Sequence, residues 1–186
     1  MARTVLVTGA AGFIGSHSVE WLLEQGWHVV GVDNLRTGHQ ANLADARSIP
    51  GFEWVLADAG DETVMRALFE RYRFAGVLHL AALVSVPESF REPALNYRLN
   101  LATADSIARL CLEFDCKRLV FASSAAVYGT AAALPNRESA APQPQSPYAA
   151  ARSGIAGSAV GARCGLSNTM TPSATRPNFS AIRSRA

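Results

Sequence analysis

No apolar run approaches the length that crosses a bilayer, so a membrane-spanning helix is excluded. The N-terminus lacks the basic, apolar and small-residue zones of a signal peptide, and a cytoplasmic location without a membrane partner is expected. Cysteine is scarce: Cys111, Cys116 and Cys164 have no metal-ligand spacing, and their odd number points to reduced thiols, so neither a metal nor a disulfide is expected. Acidic residues are absent from one part of the chain. Residues 1–151 carry 12 basic and 15 acidic side chains, whereas residues 152–186 carry five arginines and no Asp or Glu. Those arginines are scattered, without interleaved aromatics or helical clustering, which argues against nucleic-acid binding. What remains is ordinary for one globular domain: 186 residues, 49% hydrophobic and 17% charged.

Strand-like runs recur near residues 3–8, 28–33, 53–57, 76–81 and 117–123. Between them lie helix-compatible segments from Phe13 to about Gln25, ended by Gly26, from Glu62 to about Tyr72, and from Ala94 to about Phe114. In the last, Leu99, Ile107, Leu110 and Phe114 are available to face the sheet. This alternation predicts an α/β fold with a parallel sheet covered on both faces. Residues 131–147 hold four prolines and form a loop that delivers Ser146-Pro147-Tyr148. Beyond Ala151 the large apolar residues are too sparse for a helix stripe or a strand, and the chain divides into a domain of residues 1–151 and a poorly structured tail of residues 152–186.

The apolar run Val5-Leu6-Val7 enters Thr8-Gly9-Ala10-Ala11-Gly12-Phe13-Ile14-Gly15 and then a helix. In this pattern Gly9 permits the sharp turn, Gly12 lets backbone approach a pyrophosphate, and Gly15 lets the helix pack close to the sheet. Backbone N–H groups and the helix dipole then face the anion. The same glycines would also serve a plain strand-to-helix turn. The second strand ends in Asp33, about 20 residues on, where a carboxylate accepts hydrogen bonds from an adenosine ribose; that favours NAD, although nearby Arg36 is able to meet the 2′-phosphate of NADP.

Two further places can carry chemistry: Ser123-Ser124 at the end of the fifth strand, and Tyr148. A Tyr near a cation can take a proton from a hydroxyl while a nicotinamide accepts hydride, with a Ser orienting the oxygen. Taken singly, each reads better as a capping Ser or a half-buried Tyr.

Together the glycine motif, Asp33-Asn34-Leu35, the stretch His79-Leu80-Ala81-Ala82-Leu83-Val84-Ser85-Val86-Pro87-Glu88-Ser89, the segment Ser123 to Gly129 and Ser146-Pro147-Tyr148 resemble the extended short-chain dehydrogenase/reductase family. The nearest subgroup is the NAD-dependent epimerases/dehydratases of the UDP-glucose 4-epimerase type, and the similarity covers about residues 3–151. The resemblance implies a Rossmann-type doubly wound parallel sheet, incomplete here and lacking the C-terminal substrate domain. It implies that Gly9, Gly12, Phe13, Ile14 and Gly15 cradle the NAD pyrophosphate, that Asp33 and Asn34 hold the ribose, and that Asp58 approaches the adenine. Leu80, Ala81 and Ala82 would line the nicotinamide side, with Asn100 on the helix behind. Ser124 would orient a nucleotide-sugar, a UDP-hexose in the parent family, and Tyr148 would be acid/base and also touch the cofactor. A homodimer is compatible with the family.

The sequence departs from that family four residues after Tyr148, where Arg152 replaces the family Lys. A guanidinium is planar and bulkier than an ammonium, so impaired activity is expected. The non-catalytic alternative, an NAD-binding fragment or interaction module, stays open beside the epimerase/dehydratase reading, as does a shorter reductase acting on small alcohols or steroids. Loss of acids, of periodicity and of the family's next helix and strand from residue 152 together suggest a shifted reading frame, which the nucleotide sequence tests; Arg176-Pro177-Asn178 alone resembles the later substrate motif.

Overall fold

The computed structural model describes residues 3–130, 135–137 and 139–156. Five strands form one parallel sheet: β1 (Thr4–Thr8), β2 (His28–Asp33), β3 (Phe52–Leu56), β4 (Phe74–His79) and β5 (Leu119–Phe121), in the order β3-β2-β1-β4-β5. All pairings are parallel. Strand β1 is central, and the direction of winding reverses between it and β4. That reversal opens a crevice at the carboxyl ends of the strands, where ligands sit in open α/β sheets.

The inner strands β1, β2 and β4 are covered on both faces because alternate side chains enter different cores. Val5, Val7 and Val29 pack with Val19 and Leu23 of α1 (Phe13–Glu24) and with Ala46 of the short α2 (Ala44–Arg47). Leu6, Val30, Val32 and Val77 pack on the opposite face with Met65 and Phe69 of α3 (Glu62–Arg71) and with Ile107 and Leu110 of α6 (Thr103–Glu113). Each such fully buried aliphatic contributes roughly 1.5–3 kcal/mol. Asp61 caps α3 by accepting from the Thr63 and Val64 amides, with Glu62 in the first turn and Arg71 in the last complementing the dipole.

Three local features differ from the sequence expectation. The segment from Ala94 onward is not one regular α-helix. It runs as α5 (Pro93–Asn96), a wide π turn (Tyr97–Ala102) and α6, and the Thr103 hydroxyl donates to the Arg98 carbonyl across the widened ladder (3.0 Å). Ser85 starts a further helix, α4 (Val86–Arg91), by accepting from the Glu88 amide (3.2 Å). Third, α7 (Pro147–Ala156) crosses the boundary expected after residue 151. Tertiary contact rather than periodicity holds it: Asn96 Nδ2 donates to the Pro147 carbonyl (2.9 Å), the Tyr148 amide donates to Ser89 Oγ (3.2 Å), and Ala151 and Ile155 are buried. The expectations for residues 157–186, including a shifted frame and the Arg176-Pro177-Asn178 motif, lie outside the described residues. Among the described residues no helix is long and apolar enough to cross a membrane.

Candidate functional site

A cleft of about 440 Å³ lies over the carboxyl ends of β1, β2 and β4. Its floor is the turn between β1 and α1. Gly9 adopts φ +70°, and a Cβ there would lie 2.7 Å from the Ala81 nitrogen, so this glycine serves both the turn and the close approach of the β4 loop. At Gly15 a Cβ would lie 1.9 Å from the Gly9 carbonyl oxygen; this residue lets the helix pack on the turn itself rather than on the sheet. Gly12 is the N-cap of α1, and no acidic side chain occupies the first turn. The leading amides of Phe13, Ile14 and Gly15 therefore present an undiminished positive helix end to the cleft. Gly38, overlooked in the sequence, also lines the cleft; a Cβ there would come within 2.9 Å of the Ala11 backbone.

One end of the cleft is acidic. The Asp33 carboxylate accepts from the Ala11 amide (3.0 Å) and from the Leu35 amide (2.8 Å), which clamps the β2 loop onto the glycine turn. Leu35 is held at φ +59°, a left-handed conformation rare for a leucine. Asn34 Nδ2 donates to Asp58 Oδ2 (3.3 Å), and Asp58 Oδ1 accepts from the Gly60 amide (2.8 Å). Asp33, Asn34 and Asp58, separate in sequence, thus share one wall. Arg36 lines it too and pairs with Glu88 (2.6 Å).

At the other end the wall is Leu80, Ala81 and Ala82, followed by Ala122, Ser123, Tyr148 and Arg152. Thr8 Oγ1 bonds His79 Nδ1 (2.6 Å) and accepts from the Ala81 amide (3.3 Å), locking the ends of β1 and β4 together. Complete burial, and secondarily the Arg152 charge, lowers the His79 pKa to about 3, so the imidazole is neutral at physiological pH. Asn100 is not in the cleft. It is fully buried behind it, where Oδ1 accepts from the Leu83 amide and Nδ2 donates to the Leu83 carbonyl (2.9 Å each) and to Asn96 Oδ1 (2.8 Å). Through Asn96 and Pro147 this chain of bonds reaches the start of α7, and it fixes both the β4 loop and Tyr148. Thr8, Ser89 and Asn96 were missed as positioning residues because their partners lie 51 to 73 residues away; the π turn that aims Asn100 has no periodic signature.

The two expected polar groups near β5 do not share a role. Ser123 lines the cleft, whereas the Ser124 hydroxyl accepts from the Ala126 amide (3.2 Å) and caps the short turn Ala125–Tyr128. The sequence reading of Ser124 as the substrate-orienting hydroxyl thus meets an engaged side chain here. Tyr148 and Arg152 do come together: the guanidinium carbon lies 5.5 Å from the Tyr148 ring centroid and 4.8 Å from that of Phe121. Arg152 is only 4% exposed, and its Nε has no hydrogen-bond partner. Burial lowers its pKa, and the neighbouring Tyr148 opposes that shift. The guanidinium thus lies over both rings and within electrostatic reach of the Tyr148 phenol.

A glycine-lined helix N-terminus, a carboxylate ending β2 and a tyrosine facing the β4 loop match a dinucleotide site in residue type and position. The GDP-mannose 4,6 dehydratase family model matches residues 6–163. UDP-glucose 4-epimerase of Halalkalibacterium halodurans is 38% identical over 144 residues, covering 77% of this chain and 41% of the relative. The Homo sapiens UDP-glucose 4-epimerase is 38% identical over 143 residues, covering 73% and 41%. Among solved structures, the Thermotoga maritima UDP-glucose 4-epimerase with UDP-glucose superposes with TM-score 0.80 at 33% identity, covering 88% of this chain and 53% of that one. The Thermus thermophilus UDP-glucose 4-epimerase complex with NAD gives TM-score 0.78 at 36% identity, covering 88% and 52%. The chain therefore spans about half the length of these relatives. With the five-stranded sheet, the ordered motifs and these matches in agreement, the chain belongs to the NAD-dependent epimerase/dehydratase family of extended short-chain dehydrogenases/reductases.

Proposed function

We propose that this chain is the NAD-binding part of a nucleotide-sugar epimerase/dehydratase of the UDP-glucose 4-epimerase kind. One observation carries the reading: the open N-terminus of α1, the Asp33 carboxylate and the Tyr148 phenol line a single cleft. The residues fit NAD chemically. The α1 amides suit a pyrophosphate, Asp33 suits ribose hydroxyls, and the apolar Leu80-Ala81-Ala82 wall suits a nicotinamide ring. NAD, when bound, would supply the hydride acceptor. The chain's own contribution is then to hold a UDP-hexose hydroxyl beside Tyr148, which takes its proton, with a serine hydroxyl at the end of β5 orienting the oxygen.

Arg152 supports a second reading, a non-catalytic NAD-binding fragment, because a planar guanidinium over the Phe121 and Tyr148 rings stands where the family pattern has a compact ammonium. Calorimetry with NAD and turnover of UDP-galactose, on the chain and on Arg152→Lys, separate the two. Micromolar NAD binding with measurable turnover that rises in Arg152→Lys supports the enzyme. NAD binding without turnover in either form supports the fragment, and failure of the folded chain to bind NAD overturns both.

A further inference from the structure

The acidic end of the cleft carries a cation whose charge is already committed. Arg36 sits three residues beyond Asp33, and its backbone N–H donates to Asn34 Oδ1 (3.0 Å), which fixes the direction in which its side chain leaves the β2 loop. The guanidinium then crosses to the β4 side and pairs with Glu88 Oε1 at 2.6 Å. Glu88 is held in turn: its amide is the one capped by Ser85 at the start of α4. The pair therefore ties the β2 loop, whose Arg36 lines the same wall as Asp33 and Asp58, to helix α4.

We propose that Glu88 is a cofactor-selectivity residue, which by pairing with Arg36 withholds that cation from the 2′-phosphate of NADP and so keeps the site for NAD. The inference rests on the dinucleotide reading above. Among the described residues, Arg36 and Arg152 are the only cations lining the cleft, and Arg152 is buried at the opposite end. A 2′-phosphate arriving beside Asp33 meets the carboxylates of Asp33 and Asp58 directly, with Arg36, on the same wall, as the cation that would offset them. Glu88 cancels that offset, so the two aspartate charges stand uncompensated. A ribose with a bare 2′-hydroxyl needs no cation and is indifferent to the pair. The selectivity thus has an element supplied from outside the Asp33 motif, by a residue 52 positions beyond Arg36.

The test is calorimetric titration of the whole chain with NAD and with NADP at low ionic strength, using wild type, Glu88→Gln, Glu88→Asp, and Glu88→Gln combined with Arg36→Ala. Both Glu88 and Arg36 are partly exposed, so thermal melts should be nearly unchanged. Glu88→Gln is expected to tighten NADP binding about fivefold, the scale of freeing one partly exposed charge, with NAD affinity within about twofold. Glu88→Asp, which keeps the charge on a shorter stem, should fall between. The double variant should lose the gain, since Arg36 is what the phosphate would use. Unchanged NADP affinity in a Glu88→Gln chain that still binds NAD overturns the inference alone, as does a gain that persists without Arg36. A folded wild-type chain that binds neither nucleotide overturns the dinucleotide reading, and this inference with it.

Discussion

Gly15→Ala tests whether the glycine turn is a packing device as well as a phosphate cradle. An added Cβ would lie 1.9 Å from the Gly9 carbonyl oxygen, 2.8 Å from the Gly9 carbonyl carbon and 2.9 Å from the Ala10 Cα. All three are backbone atoms, so no side chain can swing aside, and the turn and helix must part by well over an ångström. Alanine gains up to about 1 kcal/mol over glycine inside a helix, less in a first turn. Overpacking costs roughly 1–3 kcal/mol, and a backbone-on-backbone clash belongs at the upper end. A net loss of about 2 kcal/mol follows, which for a chain of this size lowers Tm by roughly 4–8 °C. The same displacement moves the leading α1 amides, so NAD affinity should fall at least about tenfold. Gly26→Ala is the control. It sits at φ +75° with nothing within 4 Å of a Cβ, so it should cost about 1–2 kcal/mol from left-handed strain and leave NAD binding unchanged. Urea unfolding followed by circular dichroism, with calorimetry for NAD, reads both effects. A Gly15→Ala chain that matches wild type in urea midpoint and in NAD affinity would refute the reasoning.

Asn100→Ala should cost about 3 kcal/mol by stranding the buried Leu83 amide and carbonyl, and should weaken NAD binding because the β4 loop loses its anchor; unfolding midpoints and calorimetry check both. His79 makes stability pH-dependent. Its folded pKa is depressed to about 3 from 6.5, so the unfolded state takes up the extra proton first, and the contribution is complete above about pH 6.5 and is lost as pH falls toward 3. Between about pH 6.5 and pH 5 the loss is about 2 kcal/mol. His79→Gln should flatten that part of the pH profile of chemical unfolding; an unchanged slope would contradict it.

Much of the fold was legible locally. Strand runs such as Val5-Leu6-Val7 and Val29-Val30 are apolar on both faces, and the Gly26 stop is a left-handed C-cap whose amide donates to the Leu23 carbonyl (2.9 Å). The glycine turn and Asp33 are close enough in sequence, and regular enough in spacing, to announce each other. The helix Pro147–Ala156 was not legible, because its hydrophobic pattern is weak and long-range bonds from Asn96 and Ser89 secure it. Nor was the cap role of Ser124, since neighbouring serines offer the same chemistry and only backbone direction decides which hydroxyl turns inward.

By itself, then, the sequence determined a parallel α/β sheet, a phosphate-type helix N-terminus, a ribose-type carboxylate and an arginine where the family has lysine. These depend on residue identity and short spacing. Tertiary structure alone decided that Asn100 supports the cleft from behind, that Ser123 rather than Ser124 lines it, that Arg152 stacks on Phe121 and Tyr148, and that Glu88 claims Arg36. Each of those turns on side chains brought together from different strands and loops, and the strength of a hydrogen bond, a stacked ring or an ion pair depends on distance in space rather than along the chain.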